Sequence, residues 1–330
     1  MGPFRKHSRP VLQPSESGLD SKNVYNMAAV RENGTTSMLY RGESAGETAA
    51  DCSGRLFLAR SQDGVHFTRR AEPVMVPEFE YETRGVEDPR MITLKPGELK
   101  DESGRDVRYL LTYTAYDGKL ARLCLATSDD LVHWNKRGPI FPKFPVEPGN
   151  VSPDDWTKSG AILNERIQDG PFAGKYVMYF GESSMWLGYS DDLLHWEYVS
   201  EPVMRARPDK QDNYLVEPGP PPIRTRDGIL LLYNGVDRRD ARGLEGPGHR
   251  PYRTFAALFD PENPTRVLAR TDHPLLEPTQ EWELEGYVGN VVFSESLVEQ
   301  DGRWMLYYGG ADRRIGLAEA EVDPRMLQRK

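Results

Sequence analysis

Apolar and polar positions alternate along this chain in short runs that end in tyrosine and then turn small or charged. Five such runs stand out: SMLYRGE (Ser37–Glu43), YLLTYTAYD (Tyr109–Asp117), YVMYFGE (Tyr176–Glu182), ILLLYNGVD (Ile229–Asp237) and WMLYYGGAD (Trp304–Asp312). With Tyr40, Tyr113, Tyr179, Tyr233 and Tyr307 taken as equivalent, the spacings are 73, 66, 54 and 74 residues. Runs of this length and composition read as strands, and their recurrence reads as a repeat.

A second strand with a polar start precedes each run: YNMAAV, EDPRMITL, KSGAIL, EPGPPPI and GNVVFSE. Polar turns such as RENG, RDG and EQDG join the two, as in hairpins. A third strand follows in RLFLAR, RLCLAT, WLGYS, FAALF and IGLAEA, and three of these run on into SQDGVHF, SDDLVHW or SDDLLHW. The Ser, Asp and Gly of that signature supply a turn, and Phe67, Trp134 or Trp196 begins a fourth strand. The pattern predicts an all-β fold, a five-bladed β-propeller with four-stranded antiparallel blades. Amphipathic helices between the strands, which an α/β fold needs, are missing. Residues 1–330 are expected to form a single propeller catalytic domain with a short N-terminal extension over about residues 1–22. Inserts over 144–157 and 237–253 enlarge two loops.

Composition narrows the function. The 330 residues carry 51 acidic and 42 basic side chains, a net charge of -9, with no basic stripe, so nucleic acid is not an expected partner. The chain has no apolar run long enough to span a bilayer and no leader-like N-terminus, which predicts a cytoplasmic protein with no membrane partner. Cys52 and Cys124 read as ordinary thiols, and with six histidines in no paired spacing neither a metal nor a cofactor is expected. The totals leave a homo-oligomer open.

In a propeller the innermost strands begin at one mouth of the central channel. Here those starts place Asn26, Asp88, Lys158, Glu217 and Asn290 together, and the hairpin partners return Arg41, Glu43, Tyr116, Asp117, Glu182, Asn234, Asp237 and Asp312 to the same end. A ring of acids, amides and bases suits sugar hydroxyls, which both donate and accept. Facing carboxylates are also the equipment of glycoside cleavage. Each of these residues has a plainer reading. Glu43, Asp117 and Asp237 fit as turn or rim residues, Asp88 as a turn cap paired with Arg90, and Glu217 as an acid before a proline-stiffened strand.

The motifs RGVEDPR (Arg84–Arg90), YTAYDG (Tyr113–Gly118), TKSGAIL (Thr157–Leu163), VEPGPPPI (Val216–Ile223), LLLYNGV (Leu230–Val236) and YYGGAD (Tyr307–Asp312) together resemble glycoside hydrolase family 130. The resemblance runs through nearly the whole chain. It implies the five-bladed fold and action on β-mannosides, by phosphorolysis in many members and by hydrolysis in others. In the phosphorylases the Asp of EDPR supplies the proton, and phosphate is held by an arginine and a histidine at strand ends. Those places here read YFGES and YNGV, with Glu182 and Asn234. By that resemblance the chain is expected to be an inverting β-mannosidase acting on β-1,2-linked mannooligosaccharides, with Glu182 as general base, Glu217 as general acid and Asp88 on the sugar. Further sugar contacts are expected from Asn26, Arg41, Arg55, Tyr116, Lys158, Asn234 and Asp312. Lys158 keeps open the alternative, a phosphorylase releasing mannose 1-phosphate with Asp88 as proton donor. A non-catalytic glycan-binding propeller is the reading from another class.

Overall fold

Strand pairing divides the chain into five antiparallel sheets, each running outward from the central axis. The computed structural model describes residues 2–46, 53–145, 154–239 and 250–327. The reading of Cys52 as a thiol, and parts of both inserts, lie outside them. Cys124 is a buried free thiol.

From axis to rim, blade I is Asn23–Glu32, Thr35–Glu43, Arg55–Ser61 and Thr68–Arg69, and blade II is Gly85–Thr93, Tyr109–Tyr116, Ala121–Ser128 and Asn135–Pro139. Blade III is Ala161–Ile162, Tyr176–Phe180 and Ser184–Ser190, with its rim position shared by Glu197–Tyr198 and Met204–Arg205. In blade IV the axial position is split between Leu215–Pro218 and Ile223–Thr225, because the prolines between them cannot donate to a ladder; Gly228–Val236, Tyr252–Phe259 and Val267–Arg270 follow. Blade V is Val292–Gln300, Arg303–Gly310, Arg314–Glu321 and, at its rim, Arg5–Lys6. The N-terminal segment therefore closes the ring on the last blade. Among the described residues no helix is long and apolar enough to cross a membrane.

Alternating strands give each blade two apolar faces, and the core lies between blades. Phe141, Phe144, Phe180 and Trp186 form an aromatic cluster between blades II and III, with Phe141 and Phe180 centroids 4.6 Å apart. The shared turn signature is built alike three times. Asp63, Asp130 and Asp192 each accept two backbone N–H groups of their own turn, and each holds a histidine Nδ1 at 2.6–2.7 Å. These exposed pairs are turn chemistry.

A second repeat was not predicted. In four blades a buried tyrosine hydroxyl donates to an acid in the linker leading into that blade, and a cation from the rim strand or its flank closes the clasp. The sets are Tyr40, Asp20 and Arg69; Tyr113, Glu82 and Lys136; Tyr233, Asp212 and Arg270; and Tyr308, Glu283 and Lys6. Each ties the incoming linker to the middle and the edge of its blade. In blade V the tyrosine is Tyr308, one residue beyond the Tyr307 that the spacing selects; Tyr307 donates instead to the Gly64 carbonyl across the blade I seam.

Irregularities in the axial strands place the site. The ladder slips between Tyr25 and Met27, between Glu87 and Arg90, and between Ser294 and Ser296, so Asn26, Asp88 and Glu295 stand on bulges. Asn26 and Asp88 adopt left-handed backbone, φ 41° and 47°. A bulge re-aims its side chain out of the pleat, here toward the axis. Left-handed non-glycine residues are strained and cluster at functional sites.

Candidate active site

The cavity at the channel mouth measures about 250 Å³ and has two unlike walls. Asn26, Arg41, Glu87, Asp88, Lys158, Glu217 and Asp312 form the polar wall. Tyr252, Phe293, Val291, Val288 and Tyr287 form the other. A polyhydroxylated ring with one apolar face matches that division.

Asp88 is the centre of the polar wall. Its Oδ1 accepts from Asn26 Nδ2, its Oδ2 lies 3.0 Å from Lys158 Nζ, and Arg41 Nη1 is 4.0 Å away. Burial pushes this carboxyl up, but Lys158, Arg41 and Arg90 outweigh burial and hold it well below the usual carboxylate range. Lys158 bridges to Glu217 Oε1 at 3.2 Å, and the same oxygen accepts from Ser159 Oγ. Burial tends to neutralise Lys158, yet Asp88, Glu217 and Glu182 hold its pKa well above the ordinary lysine value. For Glu217, burial wins over Lys158 and raises the pKa.

Arg41 is held by Glu43 at 2.7 Å and Glu87 at 2.9 Å, with its guanidinium 4.6 Å from the Tyr25 ring centre. Burial, opposed by Arg41, pushes Glu87 up to about 7 and Asp312 up to about 7. Beneath the cavity Arg90, 2% exposed, donates to the carbonyls of Asp88, Pro218 and Gly219 and pairs with buried Glu295 at 3.2 Å. This pair ties blades II, IV and V together under the site. Three buried polar atoms of the polar wall, Asn26 Oδ1, Arg41 Nε and Glu217 Oε2, make no hydrogen bond among the described residues. Buried polar atoms are nearly always satisfied, so atoms left over at a cavity are available to hydrogen-bond water or a ligand there.

Six of the ten residues expected from the sequence meet here: Asn26, Arg41, Asp88, Lys158, Glu217 and Asp312. Glu182 stands beside the cavity, within the electrostatic reach of Lys158, Glu217 and Tyr252, and accepts the Trp156 indole N–H at 2.9 Å. Tyr116 meets that indole edge-on, with centroids 6.2 Å apart. Arg55, at the start of the third strand of blade I, donates to the Ser53 carbonyl at 3.2 Å and does not line the cavity. Asn234 is fully buried, its amide donating to the Ser294 carbonyl and accepting from the Ser294 N–H. That amide joins blades IV and V. Asn290 is not among the residues lining the cavity, and in blade V Glu295, on the bulge, is the acid that pairs with axial Arg90.

Sequence reasoning missed Glu87, Glu295, Tyr252 and Tyr287. Glu87 was legible as the neighbour of Asp88 in EDPR. Glu295 depends on a bulge, Tyr287 on loop geometry and Tyr252 on where the third strand of blade IV begins, none of which carries a local signal.

The chain is similar to known proteins over nearly its whole length. The family model described as beta-1,4-mannooligosaccharide phosphorylase matches residues 5–327. The 1,2-beta-oligomannan phosphorylase of Thermoanaerobacter sp. (strain X514) is 35% identical over 96% of this chain and 97% of its own. A beta-1,2-mannobiose phosphorylase of the same organism is 32% identical over 97% of each chain. A solved structure is 32% identical over 98% of this chain and 96% of its own, with a TM-score of 0.81; it is described as showing that this family of mannoside phosphorylases contains glycoside hydrolases acting on beta-1,2 mannosidic linkages.

The phosphorylase relatives overturn the expectation of an inverting hydrolase with Glu182 as base and Glu217 as acid. That expectation rested on Glu182 repelling phosphate and on Asn234 replacing a phosphate ligand. Glu182 accepts the Trp156 indole N–H and lies within the field of Lys158, and the Asn234 amide is spent on Ser294. Asn234, committed to Ser294, is not among the residues lining the cavity.

Proposed function

The chain belongs to glycoside hydrolase family 130, and from that premise we propose that it is a β-1,2-mannoside phosphorylase, cleaving mannooligosaccharides with inorganic phosphate and releasing mannose 1-phosphate. The observation that carries the proposal is Lys158, a buried cation on the wall of the cavity, with Arg41 on the same wall. Two buried cations give an anionic nucleophile a place to bind that water does not need.

In this reading the terminal mannosyl ring occupies the cavity, its hydroxyls satisfying Asn26 Oδ1, Arg41 Nε and Glu217 Oε2. A phosphate oxygen attacks the anomeric carbon, the glycosidic carbon–oxygen bond breaks with its electron pair passing to the leaving oxygen, and Asp88 delivers a proton to that oxygen. Direct displacement gives the α-phosphate. Asp88 is ionised in the free protein because Lys158, Arg41 and Arg90 surround it. Phosphate bound at Lys158 sets negative charge beside Asp88 and competes for its cation, and both effects raise its pKa toward that of a proton donor. Phosphate binding should therefore draw one proton from solution. Asp312 and Glu87 complete the acceptors for sugar hydroxyls.

The test is synthesis. Given α-mannose 1-phosphate and mannose, the protein should build β-1,2-mannobiose and release phosphate, and Asp88→Asn should lose at least about 1000-fold of that rate. Failure of the folded wild-type protein to use mannose 1-phosphate would refute the proposal.

A further inference from the structure

Seven large apolar side chains stand exposed among the described residues, and three of them, Leu284 at the end of a short helix and Tyr287 and Val288 in the turn after it, lie between blades IV and V. Tyr287 is the most exposed, at 60%, and both Tyr287 and Val288 line the cavity. An exposed cluster that continues a binding cavity marks a contact surface rather than stray apolar residues.

The turn is firmly built. The short helix Glu281–Leu284 before it carries a reciprocal capping box between Gln280 and Glu283, and buried Glu283 also accepts from Tyr308 Oη and Lys6 Nζ. Beyond the helix, the Val288 N–H donates to the Ala311 carbonyl at 3.2 Å and the Asn290 N–H to the Leu284 carbonyl at 3.2 Å. At Gly286 a Cβ would lie 2.2 Å from the Ala311 oxygen, so only glycine lets the turn approach the residue preceding Asp312. The Tyr287 ring, with Lys22 Nζ 5.7 Å from its centre, is thereby presented at the lip of the cavity on a preformed support.

We propose that Tyr287 is the platform for the second sugar, the mannosyl unit on the leaving-group side of the scissile bond, so that it sets preference for mannosyl acceptors. This rests on the reading of the cavity as a β-mannoside site. The depth order supports it. The unsatisfied polar atoms belong to deep residues, Asn26 at 7% and Glu217 at 1% exposure, whereas Tyr287 stands at the entrance. The chemistry also fits: a β-mannopyranose projects three axial C–H bonds from one ring face and its axial 2-hydroxyl from the other. An aromatic ring covers the first face at small entropic cost.

Reverse phosphorolysis separates the two sugar positions. In Tyr287→Ala the KM for mannose as acceptor should rise about tenfold, near the 1.4 kcal/mol that a factor of ten represents, while the KM for α-mannose 1-phosphate stays within about twofold. Tyr287→Phe, which keeps the ring, should restore the acceptor KM. An unchanged acceptor KM, or an equal rise in both constants, overturns the proposal. If the wild-type protein makes no product, the phosphorylase reading fails by itself, and calorimetric titration with β-1,2-mannobiose and with mannose judges Tyr287 instead. A loss of about tenfold in affinity for the disaccharide but not for mannose supports the platform, and equal affinities in wild type and variant overturn it.

Discussion

Replacing Lys158 by methionine keeps most of the side-chain volume and removes the charge that two carboxylates share. Lys158 Nζ lies 3.0 Å from Asp88 and 3.2 Å from Glu217, and at an effective dielectric near 20 each contact represents ~5 kcal/mol of attraction before desolvation is subtracted. Removing one member of a buried ion pair costs about 3–5 kcal/mol, because the remaining charge has nothing to balance it. The variant can limit that cost by protonating Asp88, whose pKa in the folded state then moves from below to above its unfolded value. A carboxyl raised in the folded state contributes stability below its unfolded pKa and loses it as pH rises through the folded pKa. Lys158→Met should therefore be destabilised by about 3 kcal/mol at pH 8 and by about 1 kcal/mol at pH 5. Urea unfolding followed by tryptophan fluorescence at the two pH values measures this. In the folded variant the KM for phosphate should rise on the order of 100-fold. A stability loss that does not change between pH 5 and pH 8, or a phosphate KM that does not move, would refute the role given to this lysine.

Two further predictions concern groups around the site. Glu87 and Asp312, each pushed up to about 7 by burial against the pull of Arg41, weaken the fold as they ionise; thermal unfolding of Asp312→Asn should therefore fall less between pH 5 and pH 8 than that of the wild type. Asp212, fully buried and accepting from Tyr233 while pairing with Arg207 and Arg270, closes the blade IV clasp; Asp212→Asn should cost about 3 kcal/mol in urea unfolding, and no measurable loss would show that the clasp is not a stabilising unit.

The fold was legible because propeller strands announce themselves locally: the tyrosine-ended runs recur, and hairpin turns of Asn, Asp and Gly punctuate them. Asp88, Lys158 and Glu217 were legible for the same reason, as polar residues expected to open axial strands, although Asp88 and Glu217 lie within theirs. Glu295 was hidden because a bulge at Ser294 and Ser296 moves the axial position of blade V five residues beyond Asn290. The tyrosine clasps left only a faint trace. A repeated tyrosine on a buried strand needs a partner for its hydroxyl, and the acids that answer, Asp20, Glu82, Asp212 and Glu283, sit in linkers of unlike sequence. The choice of nucleophile was the least legible feature. It was read from two side chains, Glu182 and Asn234, whose hydrogen-bond partners, Trp156 and Ser294, only the fold brings near.

Phosphate dependence tests the central claim most directly. Purified protein incubated with β-1,2-mannobiose should be inert in phosphate-free buffer and should release α-mannose 1-phosphate and mannose in equal amounts once inorganic phosphate is added. Release of two mannose molecules per disaccharide without phosphate, at a rate that phosphate does not raise, would contradict it.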